Sequence, residues 1–148
     1  FVLEVKDKIR KSILKADLIC YLMGSFYSSM IANLLVHGVG QAVAESQVPK
    51  VYVPNTGTDP EERGLDLKQK VEKILFYLKK GCHGPTKTGD LLHYVLVDSA
   101  ADSPPYTRRE IAATQKLGVR VIALPLSIPQ TAPLLHPSRV AEALISLT

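Results

Sequence analysis

The sequence predicts an α/β fold: a Rossmann-like three-layer domain on a mostly parallel sheet of about four strands. Short apolar runs alternate with helical stripes along the chain. The runs are continuous rather than alternating in polarity, as in parallel strands that helices cover on both faces. The length, 148 residues, fits a single domain over residues 1–148. A chain of that size buries roughly 68–70% of its unfolded surface.

Each element has its own signal. Val5, Ile9 and Ile13 fall on one helical face over residues 5–15, with lysines opposite. Residues 17–22 form a short apolar run suited to a buried strand, and Met23-Gly24-Ser25 makes a tight turn after it. The next helix shows Met30, Ile31, Leu34 and Leu35 on one side. His37-Gly38-Val39-Gly40 breaks it, because a helical glycine costs about 1 kcal/mol against alanine; residues 41–46 resume it. Val51-Tyr52-Val53 is the second strand, and residues 54–60 are a loop by composition. Asp66 with Gln69 three places on is a capping-box start for a helix striped by Leu67, Val71, Ile74, Leu75 and Leu78, and Gly81 stops it. Residues 81–90 read as a polar, glycine-rich loop, and 94–97 as the third strand. Pro104 and Pro105 suit the first turn of a helix running through Leu117 to Gly118. Residues 119–123 are the fourth strand, and Val140, Ala141 and Leu144 mark a last helix after Pro137.

Composition excludes several classes. With 46% hydrophobic and 22% charged residues, the chain is not of the disordered type. No stretch approaches the roughly 20 apolar residues of a membrane span. The formal charge of +4 is concentrated at Lys6, Lys8, Arg10, Lys11 and Lys15 and again at Lys68, Lys70, Lys73, Lys79 and Lys80. Both groups read as solvated helix faces, without the dense patch and interleaved aromatics of a nucleic-acid binder. The two cysteines, Cys20 and Cys82, fit a reducing cytoplasm better than a disulfide framework. No secretory leader pattern opens the chain, and its first residue is Phe1 rather than Met. Cys82-His83 and the scattered histidines lack metal-ligand spacing, so no metal ligands are expected. Walker A, full GxGxxG and nucleophile-elbow patterns are absent.

In a sheet of this kind, ligands bind beyond the carboxyl ends of the strands. That selects residues 23–29, 54–64, 98–105 and 124–136. In the first loop Gly24 lets backbone approach a ligand, and Ser25, Ser28 and Ser29 supply hydroxyls at a helix start whose N–H groups attract anions. The same hydroxyls also suit plain helix capping, so two readings stand. In the second loop Asn55 can hydrogen-bond a base or sugar, Thr56 adds a hydroxyl, and Asp59 can hold a metal or act as a base. An Asx-turn loop is the plainer reading there, and Glu61, Glu62 and Arg63 read as a surface turn. In the third, Asp98 ends a strand as a candidate catalytic carboxylate, and Asp102-Ser103 before the prolines reads as a helix cap.

The segment ADLICYLMGSFYSSMIANLLVHGVGQAVAES, residues 16–46, resembles the CofD/YvcK family, whose members carry A-D-L-I-V-L-G-P-G-S-L-Y-T-S followed by N-L-L-V-x-G-I. Gly24, Ser25, Tyr27, Ser29, Asn33, Leu34, Leu35, Val36 and Gly38 fall on matching positions. KVYVPNTGTDPEE is similar to the family's next strand and polar loop, and HYVLVDSA and LGVRVI to its later strands. The resemblance covers about residues 9–148 and implies a Rossmann-like fold binding a phosphate-bearing nucleotide ligand. One branch transfers a phospholactate-type group from a guanosine diphosphate-linked donor to a deazaflavin with magnesium. Another binds a nucleotide sugar without catalysis, as a regulator. Leu22 and Met23 replace the family's Gly-Pro, and Pro54-Asn55-Thr56-Gly57 replaces a longer polar pattern. The family's opening half, with a GGGTG-like loop, has no counterpart in these residues, so the chain is expected to be the C-terminal part of a larger protein. By this resemblance Gly24, Ser25, Tyr27, Ser28, Ser29, Asn33, Asn55 and Thr56 bind the phosphorylated ligand, Asp59 is catalytic, magnesium is the cofactor, and the cytoplasmic protein is a homodimer.

Overall fold

The computed structural model describes residues 3–100, 105–130 and 132–148. Its sheet has the strands β1 (Ile19–Tyr21), β2 (Lys50–Tyr52), β3 (Tyr94–Asp98) and β4 (Arg120–Leu124) in the order β1-β2-β3-β4. All neighbours run parallel, with Tyr21 beside Tyr52, Tyr52 beside Val95 and Val95 beside Val121. Parallel neighbours need crossovers. These are supplied by a π-helical turn (Phe26–Ile31) running into α2 (Ala32–Leu34), then α3 (Val39–Glu45), α4 (Leu67–Lys80), α5 (Thr88–Leu91) and α6 (Arg108–Gln115). α1 (Asp7–Leu14) precedes the sheet and α7 (Pro137–Ile145) follows it.

The period-two alternation of the strands divides the core. Tyr21, Tyr52, Val95 and Val97 face a cluster with Phe26, Ile31, Leu34 and the α4 stripe Leu67, Val71, Ile74 and Leu78. That α4 stripe is fully buried, and each such side chain contributes roughly 1.5–3 kcal/mol. Val51, Val53 and Leu96 face the other way, against Leu126, Ala143, Val140 and Leu144. The three predicted layers are therefore present, with α7 as the one helix of the second outer layer among the described residues.

α4 begins as its sequence dictates. Asp66 accepts from the Gln69 N–H at 2.7 Å, and the Gln69 side chain accepts from the Asp66 N–H at 2.9 Å. Its C-terminus meets α3 backbone to backbone. A Cβ on Gly40 would lie 2.0 Å from the Leu78 carbonyl oxygen, so only glycine permits this crossing. Gly38 turns the chain into α3 with φ +87°, the left-handed region that glycine adopts freely.

Several boundaries differ from expectation. Val5 is not on the face of α1; its N–H donates to the His37 carbonyl at 2.8 Å, and α1 starts two residues later. α1 buries no residue and leaves Ile9 exposed, since its dense lysines leave too narrow an apolar stripe. Residues 88–90 of the expected loop fold, together with Leu91, as α5. α6 starts at Arg108 rather than at the prolines: the Thr107 hydroxyl accepts from the Glu110 N–H, and Glu110 accepts from the Thr107 N–H. This local capping box outweighs Pro105, which stays outside the helix. The cap read at Asp102-Ser103, and Pro104, lie outside the described residues.

Candidate functional site

β1 and β2 end side by side at Tyr21 and Tyr52. Beyond them the 23–25 turn and the 54–60 loop enclose a cleft of about 380 Å³. Ser25, Asn55, Thr56, Thr58 and Asp59 give its lining polar groups, and Met23, Pro60, Leu134 and Leu135 give it apolar ones. Among the described residues, the N–H groups of Thr56, Gly57 and Thr58 and the hydroxyls of Ser25, Thr56 and Thr58 have no partner within the chain. A polar group that an inhibitor or metabolite satisfies is a group of this kind: open, oriented and unpaired.

The two loops are latched together. Asn55 Nδ2 donates to the Gly24 carbonyl at 2.8 Å and lies 3.3 Å from Glu62 Oε1. Asp59 accepts from the Phe26 N–H at 2.8 Å with one oxygen and from the Glu61 N–H at 3.0 Å with the other. Glu61 accepts from the Tyr27 and Ser28 N–H groups at 2.6 and 2.9 Å and from the Ser28 hydroxyl at 2.7 Å. That hydroxyl bond, with the backbone N–H bonds, holds the Glu61 carboxyl below its ordinary pKa. The start of the π-helical turn is thus capped by carboxylates from the neighbouring loop, and the Ser25 side chain makes no capping bond.

Glu61 and Glu62 are therefore not a mere surface turn. Glu62 is buried and pairs with the buried Lys70 Nζ at 2.5 Å. Lys70 Nζ also lies 5.5 Å over the Tyr106 ring, and the Tyr106 hydroxyl donates to the Asn55 carbonyl at 3.4 Å. Burial draws the Lys70 ammonium pKa down, but the Glu62 hydrogen bond and the charges of Tyr106 and Glu62 leave it raised. The Tyr52 hydroxyl, buried beneath the loop, has no partner among the described residues. Burial first, and the Glu62 carboxylate second, push its pKa up, so it stays protonated.

The candidate residues divide between places. Ser25, Asn55 and Thr56 line the cleft with Asp59. Gly24, Ser29 and Asn33 line a second cleft of about 280 Å³ beside β1, where Asn33 donates to the Ser29 carbonyl at 2.6 Å. Tyr27 lies away from the main cleft, with Lys73 Nζ 5.7 Å from its ring centroid, and Ser28 is held by Glu61. Asp59, expected to be catalytic, accepts a backbone N–H bond on each oxygen, from Phe26 and from Glu61.

Asp98 likewise serves structure. It is buried and accepts from the Leu126, Ser127 and Ala100 N–H groups at 2.8, 3.1 and 3.0 Å, and from the Ser127 hydroxyl. Burial pushes its carboxyl pKa up, but these bonds outweigh that and leave it lowered. The bonds fix the root of the segment between β4 and α7. Arg139 Nη1 adds bonds to the Pro125 and Ser127 carbonyls, both at 2.9 Å. This segment brings Leu134 and Leu135 over the cleft, a placement for which the sequence holds no local signal.

Among the described residues no group of three or more His, Cys, Asp and Glu side chains is placed to hold a metal ion, and no helix is long and apolar enough to cross a membrane.

The family model "2-phospho-L-lactate transferase CofD" matches residues 3–126. The chain belongs to the CofD family. The gluconeogenesis factor of Bacillus subtilis is 44% identical over 59 residues, 40% of this chain and 17% of that protein. The gluconeogenesis factor of Halalkalibacterium halodurans is 42% identical over 52 residues, covering 35% of this chain and 16% of the relative. In fold, this CofD-family chain is similar to the crystal structure of a UPF0052 family member from Bacillus halodurans, with a TM-score of 0.77 and 24% identity over 96% of this chain and 46% of that one. The chain thus spans a quarter or less of the length of the curated relatives, and about half of the solved one.

Proposed function

We propose that the cleft between the 23–25 turn and the 54–60 loop binds a phosphate-bearing small molecule, of nucleotide or phospho-metabolite type. The observation that carries this reading is the set of unpartnered donors at Ser25, Thr56, Gly57 and Thr58, gathered at the carboxyl ends of two parallel strands. Phosphate oxygens accept from hydroxyl and backbone N–H groups in this manner without needing a basic side chain. In this reading Ser25 Oγ and the 56–58 donors take the phosphate, and Asn55 and Asp59 hold the two walls at a fixed spacing.

The cleft supports binding more than chemistry by these residues alone. Asp59 and Glu61 are each engaged by N–H donors, and Glu62 by Lys70, so these carboxylates already serve to hold the two loops together. Phosphoryl-group transfer, as in the transferase branch, would rest on groups outside these residues. Binding without catalysis, as in the regulator branch, needs none. A cytoplasmic homodimer belongs to the same proposal, and sedimentation of the purified chain reports the dimer.

Ligand-induced thermal shift with GDP, GTP, UDP-sugars and inorganic phosphate, each with and without magnesium, tests the reading. A ligand at 100 times its Kd adds about 2.7 kcal/mol, a readily measured rise in Tm. The expected result is stabilisation by at least one phosphorylated ligand that Ser25→Ala weakens. An unchanged Tm across the panel removes the reading.

A further inference from the structure

The four histidines have unlike surroundings. His93 Nδ1 accepts from the Lys50 N–H, and His136 Nδ1 is buried. His37 and His83 lie against each other with ring centres 5.7 Å apart, and no ring nitrogen of either has a hydrogen-bond partner among the described residues. His37 is half-buried and His83 is exposed. Neither belongs to the cleft. α4 crosses over between the parallel strands β2 and β3, so it starts past the cleft loop and ends at the amino ends of the strands. Its 14 residues, rising about 1.5 Å each, put His83 roughly 20 Å from the cleft loop. Backbone holds both histidines. The His37 N–H donates to the Leu3 carbonyl at 2.9 Å, and the His37 carbonyl accepts from the Val5 N–H. The His83 N–H donates to Gln41 Oε1 at 3.0 Å, and the Gln41 N–H donates to the Gly81 carbonyl at 3.2 Å. With the close crossing at Gly40, these bonds fasten the turn carrying His37 to the turn carrying His83, so no chain ordering opposes binding there.

We propose that His37 and His83 form a two-histidine site for a divalent transition ion of the zinc class, which ties the turn before α3 to the turn after α4. Two imidazoles on one tetrahedral ion, each with a nitrogen about 2.1 Å from it, have ring centres roughly 5 Å apart. The observed 5.7 Å is within a small side-chain movement of that spacing. The ring planes cross at 64°. Turning the exposed His83 ring about its Cβ–Cγ bond, a soft torsion, aims its nitrogen at the ion and leaves the ring centre almost unmoved. Imidazole nitrogen suits zinc, nickel and copper, whereas magnesium and calcium take oxygen. No third His, Cys, Asp or Glu side chain is placed with the pair among the described residues, so water fills the other positions. Glu45, which lines a surface cleft with His83, is already engaged by Arg10 and Gln41. The site lies at the opposite end of the sheet from the phosphate cleft, so it stands or falls apart from that reading.

Calorimetry with zinc, nickel and magnesium chlorides tests the site, on chain free of any affinity tag. The proteins are the unaltered chain, His37→Ala, His83→Ala and Cys82→Ser, the last because the Cys82 thiol is the neighbour of His83 and donates to the Leu78 carbonyl. The expected result is one zinc per chain, weakened about ten-fold or more in each histidine variant, unchanged in Cys82→Ser, and no binding of magnesium. Circular dichroism verifies that the variants keep the fold. Imidazole nitrogen NMR spectra of the unaltered chain identify the ligands without any substitution: zinc should move the signals of His37 and His83 and leave those of His93 and His136 in place. Zinc binding indifferent to both histidine variants, or weakened in only one of them, overturns the pair. Loss in Cys82→Ser moves the ion to a thiolate and also overturns it. Binding of neither zinc nor nickel overturns the site and leaves the contact of the two rings as packing alone.

Discussion

Lys70→Met removes an ammonium from beneath the cleft while leaving most of its apolar stem. In the folded chain Lys70 and Glu62 side chains are only 7% and 8% exposed and 2.5 Å apart. The variant leaves a buried carboxylate whose remaining polar side-chain contact among the described residues is the Asn55 amide at 3.3 Å. Breaking a buried pair from one side costs about 3–5 kcal/mol, because the surviving charge is uncompensated. Against a total stability of about 5–15 kcal/mol, that is a large fraction. Glu62→Leu in the Lys70→Met background removes the stranded charge, and the double variant should recover most of the loss. Urea unfolding of both single variants and the double one at neutral pH gives the cycle directly. The reasoning is refuted if Lys70→Met costs under about 1 kcal/mol, the range of an exposed pair, or if the double variant loses the sum of the single ones.

Other consequences follow from single contacts. Gly40→Ala places a methyl 2.0 Å from the Leu78 carbonyl oxygen; with backbone on both sides, it should cost about 3 kcal/mol or more, seen as a fall in Tm, whereas an unchanged Tm would contradict the close crossing of α3 and α4. His93 Nδ1 accepts from the Lys50 N–H at 3.0 Å and so must be neutral, and burial, then the Lys50 charge, lower its pKa. A base whose folded pKa is depressed gives stability that is full above its unfolded value of about 6.5 and is lost as pH falls through the folded one. Denaturation midpoints should therefore decline below about pH 6.5, and decline again at the acid end as lowered Asp98 protonates; His93→Gln should remove the first decline, and a profile unaltered by it would count against this role. Glu61→Ala frees the Tyr27 and Ser28 N–H groups, so their amide hydrogens should exchange faster while those of Val71 and Ile74 do not; equal protection in both proteins would deny the latch.

The sheet was legible because parallel strands covered on both faces must be apolar throughout, and residues 51–53 and 94–97 are. The start of α4 was legible because Asp66 and Gln69 carry their signal within four residues. α6 had an equally local signal in Thr107 and Glu110, but the neighbouring prolines drew the boundary to the wrong place. The latch was not legible. Asp59 and Glu61 meet residues more than thirty positions away, and only the pairing of β1 with β2 brings them together. Charge was a misleading guide at Glu61 and Glu62, since acidic residues read as solvated unless a partner such as Lys70 is known to lie beneath. Ser25, Asn55 and Thr56 could be placed beside one cleft from the sequence because parallel sheets present their strand ends together, a rule of topology. The placement of Leu134 and Leu135 beside that cleft was not legible, because it depends on Asp98, Ser127 and Arg139 acting together.

The central claim is that the Ser25 and 56–58 donors hold a phosphate in the cleft. Its most direct measurement is a phosphorus and amide NMR titration of the chain with GDP and with inorganic phosphate. The account predicts the largest amide shifts at Ser25, Thr56, Gly57 and Thr58, reduced in Ser25→Ala. Shifts confined to other parts of the surface, or none at saturating ligand, would contradict it.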